Sequence, residues 1–141
     1  MLITGTVNKR LIAYIERVQA YLGLEGCDIE LGITRTCDGG AGGYCHGDDE
    51  EVIIEIARID DLGPLSAIQL KKNIAHEMVH AFQLLTKQMV NVGMVACSDS
   101  PIGLKYVVEW EGKPYSNVPY NDQPWEIDAY GKEAGVYEMC K

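Results

Sequence analysis

From about Gly63 to Lys87 the chain keeps one helical period, and two histidines fall four residues apart in the middle of it: His76-Glu77-Met78-Val79-His80. Ile74, Met78, Ala81, Leu85 and Met89 recur at steps of three or four, with Ala75, Val79 and Phe82 beside them. Gln69, Asn73, His76, His80, Gln83 and Lys87 form a second, polar stripe at the same steps. The pattern predicts a long amphipathic helix opening at Gly63-Pro64, with Pro64 in the tolerated first turn. Residues four apart share one helix face, with Cβ atoms about 5–6 Å apart. Two imidazoles so placed can bind one Zn²⁺ at about 2.0–2.1 Å. Glu77, between them, could then act as general base toward a water on that metal. Both histidines are expected on the polar side of the helix, looking into a cleft; the plainer alternative is a solvated stripe with no role.

A catalytic zinc site usually has three protein ligands. The only other histidine, His46, lies in the stretch 37–49, which contains Gly39-Gly40-Ala41-Gly42-Gly43 and is expected to be a flexible loop and a poor support for a ligand. Glu126, in Pro124-Trp125-Glu126-Ile127-Asp128-Ala129-Tyr130, is the better candidate. It stands in the first turn of an expected C-terminal helix. Ala129, one turn on, is small enough to let that helix approach the histidines. Asp128 should point about 200° away and not share the site. The expected site is therefore His76, His80 and Glu126 on the metal, with Glu77 as the catalytic base. Cys37, Cys45 and His46 match no common zinc spacing.

The 141 residues suit one domain, 1–141. A net charge of −9 argues against nucleic acid as a partner, because phosphate binding needs a basic footprint. No apolar run is long enough to span a bilayer, and Met1–Val7 does not resemble a signal peptide. Five scattered cysteines without a C-x-x-C pair favour free thiols and a cytoplasmic location.

Alternating and helical patterns sketch an α+β fold. They predict a helix over 8–22, a strand over 28–34, a loop over 37–49 and a strand over 51–59. The histidine helix follows, then an irregular stretch over 91–103. A strand over 104–110 turns at Glu111-Gly112 into Lys113-Pro114-Tyr115, and a last helix runs from Pro124 to about Met139. The apolar side of that last helix is read as Ile127, Tyr130, Ala134 and Tyr137.

His76-Glu77-x-x-His80 followed by Glu126-x-x-Ala129 resembles the gluzincin zinc peptidases, and the compact arrangement is similar to ImmA/IrrE-type peptidases. Gly42–Gly47, Trp110–Tyr115 and Pro124–Tyr130 also resemble small metallopeptidases of tailed bacteriophages, which would imply a host cytoplasm. The resemblance implies a small zincin-like domain, one Zn²⁺ per chain, peptide or protein substrates, and Glu126 as third ligand. Many gluzincins place an aspartate four residues after that glutamate to orient a ligand histidine; this chain has Tyr130 there, so the histidines' partners stay open. Tyr130, Tyr120, Tyr115 and His46 are candidate oxyanion donors. The 51–59 strand could lie at a sheet edge where a peptide adds. The competing reading is a catalytically silent module of the same fold that keeps zinc.

Overall fold

In the computed structural model, which describes residues 1–141, the Asn8 side chain accepts a hydrogen bond from Leu11 N at 2.9 Å and caps helix α1, Lys9–Tyr21. The cap satisfies one of the free N–H groups at a helix start. Leu11, Tyr14, Ile15 and Val18 face inward. Strands β1 (Leu2–Gly5), β2 (Asp28–Thr34), β3 (Gly43–Gly47) and β4 (Glu51–Ala57) form one mixed sheet in the order β1-β2-β4-β3. The first three in that order run parallel and β3 is antiparallel. Ile29, Leu31 and Ile33 of β2 and Val52, Ile54 and Ile56 of β4 line up on the helix side and are buried. Burying each such side chain contributes about 1.5–3 kcal/mol.

Ser66 Oγ accepts from Gln69 N at 3.1 Å and starts α2, Ala67–Leu85. The helix thus begins later than Gly63-Pro64. Those two residues form a short strand, β6, paired with β5 (Ile59–Asp60), because the serine cap fixes the start beyond the proline. A second sheet, β7 (Met89–Ala96), β8 (Leu104–Trp110) and β9 (Lys113–Tyr115), is antiparallel throughout. Helix α3, Pro124–Cys140, packs against α1 and α2. Two hydrogen bonds tie the helices together: Tyr14 OH to Lys71 O (2.7 Å) and Arg17 Nε to Cys140 O (2.7 Å). The result is an α+β fold whose core joins the helices to the inner face of the first sheet. No helix is long and apolar enough to cross a membrane.

Several expectations are corrected. The 37–49 stretch is not all loop: Gly43–Gly47 is a strand, because β4 supplies its hydrogen-bonding partner. The edge strands are β1 and β3, while β4 lies between β2 and β3. The 91–103 stretch contains most of β7. Its alternation is broken by a bulge between Asn91 and Gly93, where Gly93 takes φ 95°, and the period-two pattern fails there. On α3 the buried residues are Ala129, Val136, Tyr137 and Cys140, while Ile127 is 58% exposed and Tyr130 and Ala134 also face out. The α1–α2 surface, not local hydrophobicity, selects the inward face. The five cysteines form no disulfide.

Candidate metal centre

Helix α2 carries the two histidines and Glu77, and α3 crosses directly over them. The middle of the polar stripe is therefore not solvated: His76, His80 and Gln83 are buried, as is Glu77 beside them, while Gln69 and Lys87 towards its ends are exposed. Ala129 is fully buried in this crossing. A longer side chain would push α3 outward and carry Glu126 with it. Ala129→Leu should cost about 1–3 kcal/mol by overpacking and weaken metal binding as well; thermal melting and a zinc titration on the same sample check both.

Three ligand atoms converge. His76 Nε2 lies 3.1 Å from His80 Nε2 and 3.1 Å from Glu126 Oε2, and His80 Nε2 lies 2.9 Å from Glu126 Oε1. Ligands about 2.0–2.1 Å from a tetrahedral zinc would stand about 3.3 Å apart, so the spacing fits one metal ion. His76, His80 and Glu126 form a buried group that could hold such an ion.

The outer ring nitrogens say which atoms face the centre. His76 Nδ1 is 2.8 Å from Glu133 Oε2, and a carboxylate only accepts, so this nitrogen carries the proton. His80 Nδ1 is 2.8 Å from Gln83 Oε1. The Gln83 amide is fixed by its other end, where Nε2 donates to Trp125 O (2.9 Å) and to Asp128 Oδ2 (2.8 Å). Its oxygen must therefore face His80 and accept from Nδ1–H. Both Nε2 atoms are then left with lone pairs, pointing at each other and at a carboxylate. Three electron-rich atoms in one buried spot repel unless a cation, or protons, lie between them. Without a metal, protons take that role. Burial lowers the affinity of His76 and His80 for protons, but hydrogen bonds to Glu126 and the charges of Glu77 and Glu126 outweigh it, so both sit above the usual histidine value. Glu126 is desolvated, yet the two histidines hold it well below the ordinary carboxylate range.

Glu133 is the partner that the sequence reading left open. It stands one turn beyond Tyr130, on the face of α3 that also carries Glu126; the Glu126, Tyr130, Glu133 spacing of four and three was the available signal. Asp128 does not join the three ligand candidates, as expected, but it does reach the site through Gln83. Gln83 belonged to the recognised polar stripe, yet its role depends on α3 and could not be read from α2 alone.

A cleft of about 610 Å³ opens onto His76 and Glu77. Its walls include Gly42 and Gly43 at β3, Leu62 on the β5–β6 turn, and Tyr120, Tyr130 and Glu133. Glu77 is raised above its normal range by burial, against the pull of both histidines. Gly43 permits this arrangement, because a Cβ there would meet Glu77 Cγ at 3.1 Å and Glu55 O at 3.0 Å. Tyr120 OH donates to Glu126 Oε2 (3.0 Å) and lies 3.0 Å from Tyr130 OH. Since the Tyr120 proton is used on the carboxylate, Tyr130 must donate to Tyr120. Tyr115 packs on Trp125, with ring centroids 6.0 Å apart. His46 is exposed on the outer face of β3, opposite Ile53. Of the four oxyanion candidates, only Tyr120 and Tyr130 border the cleft. Cys37, Cys45 and His46 form no ligand group. The chain matches no protein-family model, no curated protein and no solved structure.

Proposed function

We propose that this chain is a zinc-dependent peptidase. The observation that carries the reading is the convergence of two imidazole lone pairs and the Glu126 carboxylate beside a buried glutamate on a cleft floor. Two histidines and a glutamate are a ligand set of catalytic zinc. A bound zinc ion would supply Lewis acidity, lowering the pKa of a water toward about 7 and polarising a carbonyl.

The chain's own groups do the rest. Glu77 takes a proton from the attacking water as the C–O bond forms, and delivers it to the leaving nitrogen as the C–N bond breaks. Glu133 and Gln83 hold the imidazoles in the metal-binding tautomer. Tyr130, whose hydroxyl proton is held only by Tyr120, can turn it to the developing oxyanion. A peptide substrate suits the walls: β3 offers an unpaired strand edge beside Gly42 and Gly43, where an extended chain can add by main-chain hydrogen bonds. Tyr130→Phe should lower kcat about 100-fold, the usual loss for one oxyanion donor, with zinc content unchanged.

The test is a screen of zinc-loaded protein against unfolded proteins and quenched-fluorescence peptide libraries. Cleavage that stops on chelation and returns with zinc is expected. Zinc-loaded protein that cuts none of them would overturn the peptidase reading and favour a metal-retaining binding module.

A further inference from the structure

Gln83 is the one fully buried polar side chain of the molecule, with 0% exposure. All three of its hydrogen-bonding contacts lead somewhere specific. Its oxygen meets His80 Nδ1, and its nitrogen bridges Trp125 O and Asp128 Oδ2 on α3. Asp128 is in turn held by Lys132, one turn along the same helix, with Nζ 2.9 Å from Oδ1. The Asp128 carboxylate thus stands between two donors, the Gln83 amide nitrogen and the Lys132 ammonium.

We propose that Asp128 is a positioning residue for the metal centre: by fixing which end of the Gln83 amide faces His80, it sets the affinity of a site it never touches. This inference rests on the metal reading above. The logic follows from donor and acceptor counts. An amide can rotate by half a turn and exchange its O and N at almost no steric cost. In the observed orientation the oxygen accepts from Nδ1–H and leaves Nε2 free to ligate. In the reversed orientation the NH₂ faces Nδ1, which must then be unprotonated, and the proton moves to Nε2. There it donates to Glu126 Oε1, 2.9 Å away, and His80 is lost as a ligand. The reversed amide would also set its oxygen against Trp125 O and the Asp128 carboxylate, a double repulsion in a buried place. Two acceptors on α3 therefore choose the tautomer of a histidine on α2. One of them, the Trp125 carbonyl, is backbone; Asp128 is the one a substitution can change. The same helix thus brings Glu126 to the metal position and locks His80 toward it.

Asp128→Asn removes the lock with little change of shape, because an asparagine NH₂ can donate to a reversed Gln83 oxygen. Asp128→Glu keeps the acceptor and charge but changes the length. Zinc affinity should be measured for the unmodified chain and both variants by competition with a chromophoric chelator. Exchange of the Gln83 side-chain amide protons should be followed by NMR in the metal-free proteins. The lock predicts zinc binding 10- to 100-fold weaker in Asp128→Asn, the usual scale for a group behind a metal ligand, with a smaller loss in Asp128→Glu. It also predicts slowly exchanging Gln83 protons in the unmodified chain and faster exchange in Asp128→Asn. A merely structural role would reverse the order, making the longer glutamate worse than the near-isosteric asparagine. That order, or Asp128→Asn binding zinc as well as the unmodified chain, overturns the inference. Failure of the unmodified chain to bind zinc overturns the metal reading itself, while the amide exchange still reports on the lock.

Discussion

Glu77→Gln is expected to keep its zinc and lose peptide hydrolysis by about 10²- to 10⁴-fold, the range assigned to a positioned general base. The substitution is nearly isosteric, which matters at this position. A Cβ on Gly43 would lie only 3.1 Å from Glu77 Cγ, so β3 leaves little room for a change of shape. Glu77 is also not among the three converging ligand atoms, so the metal group stays whole. What the amide cannot do is accept a proton from water. Burial raises the Glu77 carboxyl above its ordinary value, the direction that suits a proton acceptor. Zinc content and kcat should be measured on the same preparation. Undiminished cleavage with full zinc would remove Glu77 from the mechanism; loss of zinc together with activity would make it a structural or ligating group instead.

The parts of the site that were legible in the sequence lie within single helices. His76 and His80 are set by one helical period, and Glu126 and Ala129 by another, so spacing alone places each pair on its own face. The groups that were not legible act across elements. Glu133 meets His76, and Asp128 meets Gln83, only because α3 crosses α2 at one particular height, and nothing local encodes that height. The fold divides the same way. The strands at 28–34 and 104–110 form where the pattern predicts, and the one predicted over 51–59 forms but ends at Ala57. Strand β3 is glycine-rich and is a strand because β4 lies beside it. The misread inward face of α3 has the same origin: Ile127 is apolar but exposed, while the small Ala129 is fully buried, because the surface α3 packs against decides which face turns in.

Glu126→Ala should lower zinc affinity by at least about 100-fold, or about 2.7 kcal/mol. The argument is that no neighbour can take its place. Glu133 is already on His76, but at Nδ1, the side of the ring facing away from the convergence of Nε2 atoms. Asp128 is turned toward Gln83 and Lys132. His46 faces out from β3, on the opposite side of the sheet from the buried residues Val52 and Ile54. Tyr120, which now donates to Glu126, loses its acceptor, and its phenol is held in the protonated form first by burial and then by its hydrogen bond to Tyr130. Only the two imidazoles would remain, and a pair of neutral nitrogens neither balances the charge of a divalent ion nor completes a three-ligand site. Elemental analysis of untagged protein after dialysis against a weak chelator checks this: about one zinc per chain in the unmodified protein, and a clear deficit in the variant. Zinc retained at full occupancy in Glu126→Ala would mean that α3 contributes no ligand, and the closeness of Ala129 to α2 would then serve packing alone.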